Sequence, residues 1–241
     1  MTKKVEYLNY LDYSRNLLTS ILFIYPLLIL YEILSFLIFS DKSYEIRNSA
    51  DIFIRSYFYN FGTSSQFLYI TFLISLMILY IFLNIRKYKD YNFSPIYNLY
   101  MMCEGIVYGL ALMIILNGYS YFLKSKVYVY EDFFLNFYFS LGAGVWEEIL
   151  FRLIIFNILL FLFKSFSSIK ISYILSILIS SILFSLFHYF GQLGDLFSLK
   201  TFIIRFVGGV ILCLIYIKRG LGISCMTHYS YDVLIFALPI I

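Results

Sequence analysis

Apolar residues run along this chain in long blocks broken by short polar stretches, and they do not alternate with polar ones as they would in a half-buried strand. The blocks fall at about 17–39, 66–85, 99–123, 132–163, 170–190, 201–217 and 220–239. A helix needs roughly 20 predominantly apolar residues to cross a bilayer, so the pattern predicts an all-α polytopic transmembrane helix bundle of about seven spans. The fourth block is long enough to tilt, or to begin as a short interfacial helix that runs into a span. The sixth is short and carries Gly208 and Gly209, small residues that let helices approach closely. Between the first two blocks lies the mixed-charge segment SDKSYEIRNSADIFIRSYFYNFGTSS, which predicts a short helix at the membrane surface. With no internal repeat and no soluble stretch, residues 1–241 form a single integral membrane domain in this reading.

Composition strengthens the membrane assignment. Of the 241 residues, 62% are hydrophobic and 13% charged, against about 25% charged in a soluble domain. Such a chain lacks the polar surface to cover a water-exposed globule. The net charge of +4 is small and spread over short loops, which excludes a nucleic-acid partner. The 27 Phe and 25 Tyr reflect an AT-rich source better than an aromatic binding surface. Cys103, Cys213 and Cys225 stand singly in apolar surroundings without CxxC spacing, which predicts buried free thiols and no thiolate metal site. The N-terminus has a polar lead and no small-residue cleavage site, so no cleavable signal peptide is expected. Lys and Arg counts lean to a cytoplasmic N-terminus by a small margin.

Against this background, charges inside the apolar blocks stand out, because each costs about 2.5–3.5 kcal/mol at mid-bilayer on insertion scales and therefore marks a bundle interior or a function. They occur in WEEILFR, SLFHYFG and THYSYDV. On a helix Glu148 and Arg152 are four apart and share a face. Glu147 is turned about 100° away from Glu148 and has no basic residue at helical spacing. The spacing thus pairs one glutamate with the arginine and leaves the other free. His228 and Asp232 are also four apart, and His188 stands alone near the end of its helix. Helix rise places Glu147 roughly 24 Å in from residue 163 and His188 roughly 27 Å in from residue 170, so the two meet at similar depth.

A desolvated carboxylate beside a histidine can hold and deprotonate a water. A second histidine with a polar neighbour can stabilise the oxyanion formed when water attacks a carbonyl. Alternatively, Glu147, His188 and His228 could bind a divalent metal such as zinc that activates the water. HExxH, GxSxG and a pair of intramembrane aspartates are all missing, which argues against soluble-type zinc, serine and aspartic mechanisms.

Three blocks in order, EExxxR at Glu147–Arg152, FxxxH at Phe184–His188 with Gly191 following, and HxxxD at His228–Asp232, resemble the CPBP intramembrane proteases. That family includes the type II CAAX prenyl endopeptidases and bacterial Abi-like proteins. The resemblance spans roughly residues 140–236, within a protease-like core of about 132–240, and leaves the N-terminal spans at 17–123 without a counterpart. It implies a helical membrane fold whose cavity houses peptide-bond hydrolysis. Glu147 and His188 would activate the water, His228 and Asp232 would stabilise the oxyanion, and Glu148 and Arg152 would hold the site in shape. The family pattern commonly ends in Asn where this chain has Asp232. An ionised aspartate repels an oxyanion whereas an amide donates to it, so Asp232 would instead be protonated, orient His228 or bind a metal.

The function expected is an intramembrane endopeptidase of the bacterial cytoplasmic (inner) membrane, acting on a membrane-anchored or amphipathic peptide. A leader peptide, anchored protein or bacteriocin-like precursor suits a bacterial source better than a prenylated CAAX protein. Two other classes fit the same charges: a non-catalytic immunity or resistance scaffold, and a small proton-coupled transporter. Three further charges fall outside the expected site. Glu32 is expected in a helix–helix hydrogen bond, while Glu104 and Arg205 are expected to reach the interface. Gly142 and Gly144 are expected to permit close helix approach.

Overall fold

The computed structural model describes residues 9–40, 45–58, 65–84, 93–117, 133–190 and 194–237. Gly191 and the ends of the 99–123 and 220–239 blocks lie outside them. Among the described residues every regular element is helical. These are α1 (Tyr10–Arg15), α2 (Leu17–Phe39), α3 (Ser49–Ser56), α4 (Ser65–Leu83), α5 (Pro95–Asn117), α6 (Phe133–Gly142), α7 (Asn157–Lys164), α8 (Ile169–Phe187), α9 (Leu199–Arg219) and α10 (Leu221–Asp232). Wide π-helical turns at Ala143–Glu147 and Ile149–Phe156 join α6 to α7, and another follows α10 at Val233–Ala237. The fold class read from the hydrophobic pattern is therefore observed.

Four helices are long and apolar enough to cross a membrane among the described residues: Leu17–Phe39, Pro95–Leu116, Ile169–Phe187 and Leu199–Arg219. The remaining predicted blocks are helical too within the described residues, and the interrupted run from Phe133 to Lys164 and α10 differ from these four in continuity or composition. Large apolar side chains such as Phe36, Leu37, Val107, Ile115, Phe161 and Ile174 point outward. Water would not tolerate so much exposed hydrocarbon, and a lipid surround removes the cost. The protein is integral to the membrane.

The element that organises the bundle is α10. Its first eight residues, 221–228, are all buried, and it packs chiefly on α5, with the π turn at Ala143–Glu147, α9 and α2 on its other sides. It is nonetheless polar in composition (LGISCMTHYSYD). In a lipid-embedded bundle buried polar groups need internal partners, and Thr227 donates to the Ile223 carbonyl while Ser224 donates to Glu148. The turn into α10 is made by Gly220 at φ 90°, a conformation that glycine adopts without penalty.

Glu32 makes the expected helix–helix bond, to Arg55 of α3 at 2.5 Å, and also pairs with Arg47 at 2.9 Å. Glu104 does not simply reach the interface. Arg219 holds both its oxygens at 2.5 and 2.7 Å, and the Tyr10 hydroxyl adds a third bond at 2.6 Å, tying α1, α5 and α9 together. Arg205 pairs with Asp195 and lies over the Tyr189 ring. Cys213 and Cys225 are buried as expected, but Cys103 is exposed on the outer face of α5.

Candidate active site

The EExxxR block sits in the wide-turn stretch and not in a regular α-helix. Glu147 ends the first π-helical segment, and Arg152 lies within the second. Such turns are uncommon and concentrate at functional sites. The extra carbonyl capacity of the stretch is taken up by side chains: Ser180 donates to Phe151 O at 2.8 Å, and the Asn157 amide donates to the Leu153 carbonyl at 2.8 Å. Gly144 lets this backbone lie against α10, because a Cβ there would fall 2.5 Å from Tyr229 Cβ and 2.7 Å from its Cα. The bare backbone thereby brings Glu148 under His228.

The glutamates have separate surroundings. Glu148 is fully buried and held on three sides, by Ser224 Oγ at 2.6 Å, His228 Nδ1 at 2.9 Å and Arg152 Nη1 at 3.0 Å. Arg152 is itself fully buried, stacked 4.3 Å over the Phe184 ring with Nη2 directed at the Gly209 carbonyl. The i, i+4 pairing read from the sequence survives the wide turn.

Glu147 instead faces His188. Its Oε1 accepts from the Asn48 side-chain amide at 2.8 Å, and its buried Oε2 has no hydrogen-bond partner. His188 Nε2 lies 3.7 Å from that Oε2, beyond a direct hydrogen bond. His188 Nδ1 lies 2.9 Å from the Phe184 carbonyl. A carbonyl only accepts, so Nδ1 carries a proton, and in the neutral ring Nε2 offers a lone pair. Two acceptors therefore face one gap. The His188 side chain is 25% exposed while Glu147 is nearly closed off, so the gap is reached from the histidine side.

On the far side of Phe184, whose ring touches both imidazoles edge-on, His228 uses Nδ1 for Glu148 and turns Nε2 toward Asp232 Oδ2 at 3.7 Å. All six residues singled out in the sequence (Glu147, Glu148, Arg152, His188, His228 and Asp232) thus meet around one place.

This geometry coincides with a match to a family model. Residues 130–234 match the Rce1-like family, type II CAAX prenyl endopeptidase Rce1-like. It is the CAAX protease family that the three blocks resemble. The match begins just before α6, ends within the π turn after α10 and leaves α1 to α5 outside it. No curated protein and no solved structure matches the chain.

Glu147, His188 and His228 have the donor types of a divalent-metal site, and His228 commits Nδ1 to Glu148 and presents Nε2 to Asp232. No group of three or more His, Cys, Asp or Glu side chains among the described residues is arranged to hold a metal ion.

Two participants escaped the sequence. Ser224 binds Glu148, and Asn48 reaches Glu147 from outside the Rce1-like segment, while Phe184, the first residue of FxxxH, separates the two imidazoles. For Asn48 a partial signal exists. NSAD places Asn at a helix N-cap with Asp three residues later, a capping pattern, and α3 does begin there. What the pattern does not reveal is that the same amide has a second hydrogen bond to make. Near it, Glu45 is held below the usual carboxylate range: burial opposes ionisation, but bonds from Arg47 and Ser35 outweigh it.

Proposed function

We propose that the protein is an intramembrane endopeptidase that cleaves a membrane-anchored or amphipathic peptide by attack of a water held between Glu147 and His188. The observation that carries this reading is the unpartnered Glu147 Oε2 facing the lone pair of His188 Nε2 across 3.7 Å. A water seated there donates both its hydrogens, which leaves its own lone pair directed at a carbonyl. As attack proceeds Glu147 takes a proton as general base, and His228, protonated on both nitrogens between Glu148 and Asp232, donates from Nε2 to the tetrahedral oxyanion. Proton return to the leaving amine completes hydrolysis. With Nδ1 tied to Glu148, His228 is fixed in orientation, and Asp232 serves to aim and balance that ring, taking no part as a donor to the oxyanion. Glu148 and Arg152 keep the wide turn and α10 in register. The setting is a bacterial cytoplasmic membrane.

The test is reconstitution in liposomes with two quenched fluorogenic probes, one a farnesylated CAAX-type peptide and one an amphipathic leader-type peptide, with new termini identified by mass spectrometry. His188→Ala lowers kcat by about 10²–10⁴-fold, the range of a general-base partnership, while thermal unfolding in detergent is unchanged. Cleavage at the wild-type rate by this variant would sink the proposal, and protection of cells without any cleaved product would favour an immunity scaffold. Because the proposed step needs no metal, prolonged dialysis against EDTA leaves the rate unchanged. Loss of activity that zinc restores would overturn that expectation.

A further inference from the structure

Resting on the protease reading, we infer that Asn48, supplied by the N-terminal half of the chain and lying outside the Rce1-like segment, is the positioning residue that aims Glu147 at its water. Three hydrogen bonds fix it. Its side-chain oxygen accepts from Ala50 N–H at 2.9 Å and caps α3; its backbone N–H donates to the Tyr31 hydroxyl at 3.2 Å; its Nδ2 donates to Glu147 Oε1 at 2.8 Å. With Oε1 held, the carboxylate cannot rotate freely, and Oε2 is left presented toward His188.

The cap is itself clamped by charge. Arg47 reaches Glu32 at 2.9 Å, Glu45 at 2.5 Å and Asp51 at 3.1 Å, and Arg55 reaches Asp51 at 2.7 Å and Glu32 at 2.5 Å. Tyr31 and Tyr69 donate to the two oxygens of the fully buried Asp51. This network immobilises α3, and Asn48 is at its first turn. Gly142 leaves the room: a Cβ there would stand 2.9 Å from both Asn48 Cβ and Tyr31 Cε2. α3 thus serves as a bracket that presses one amide onto the base, a tighter role than a helix lying at the membrane surface.

Amide chemistry explains the residue type and supplies the test. Capping needs an acceptor, and aiming Glu147 needs a donor; among common caps Asn has both, whereas Asp and Ser caps serve α3 about equally well. Ser in place of Asn48 keeps a capping oxygen but has no amide to reach Glu147, and it avoids the second carboxylate that Asp would set against the buried Glu147. In the liposome assay with the same two probes, Asn48→Ser keeps the thermal midpoint of the wild type yet lowers kcat on the order of 10- to 100-fold, as a misaimed group does, with KM little changed. Asn48→Ala loses both stability and kcat. A purely structural cap predicts that Ser restores kcat along with stability, and that result overturns the inference.

A second measurement does not depend on turnover. In protein labelled with 15N in Asn amides and 13C in Glu carboxyls, solid-state dipolar recoupling shows an Asn48–Glu147 contact that Asn48→Ser abolishes. Its absence from the wild type overturns the inference even if the probes are cleaved. A wild type that shows the contact but cleaves nothing, or a Glu147→Ala variant that cleaves normally, instead sinks the protease reading on which the inference rests.

Discussion

Replacing Glu147 with Gln lowers peptide hydrolysis by about three orders of magnitude, within the span attributed to a lost general base, and leaves the protein folded. The substitution preserves shape, and the Gln carbonyl still accepts the Asn48 amide that now binds Oε1. What changes is the atom facing His188. Oε2 makes no hydrogen bond, so converting it to an NH2 removes no native hydrogen bond. The neighbouring glutamate behaves oppositely. Glu148 binds Ser224, His228 and Arg152 with no exposure to solvent, so Glu148→Gln damages the fold first. Adjacent carboxylates therefore separate into one activity phenotype and one stability phenotype. Turnover and detergent thermal unfolding measured on both variants check this, and a Glu147→Gln enzyme retaining a tenth or more of wild-type kcat would defeat the assignment of the base.

The parts of this site that the sequence displayed are those whose information is local. EExxxR, FxxxH and HxxxD each lie on one helical run, so helical spacing could pair Glu148 with Arg152 and His228 with Asp232, and helix rise could set Glu147 level with His188. The missing parts are those where partners come from different elements. Glu32 looked solitary in the middle of its apolar block because Arg47 and Arg55 approach from a polar loop and a short helix. Glu104 meets Arg219 from a helix more than a hundred residues away. Spacing also could not distinguish an α-turn from the wide turns that hold Glu147 and Arg152, since the i, i+4 contact occurs in this geometry as well. Asn48 carried a local signal for its local duty as a cap and none for its distant hydrogen bond.

Truncating Arg152 to Ala should be the most damaging single change to stability, by about 3–5 kcal/mol, the cost of leaving a buried charge without its partner. The guanidinium is fully buried, lies 3.0 Å from Glu148 and covers the face of Phe184. Its loss strands the Glu148 charge and opens space behind the ring that contacts both His188 and His228. If pairing is the reason, the cost is conditional on Glu148. A double variant, Glu148→Leu with Arg152→Met, recovers part of the lost stability because no unpaired charge remains, as buried ion pairs replaced by apolar side chains often do. The same double variant stays inactive, since His228 has lost the carboxylate that fixes its Nδ1. Detergent-resistant unfolding curves for the single and double variants decide the matter: an Arg152→Ala protein within about 1 kcal/mol of wild type would mean that the pair is screened by water, which the dry packing around Phe184 and Gly209 does not allow.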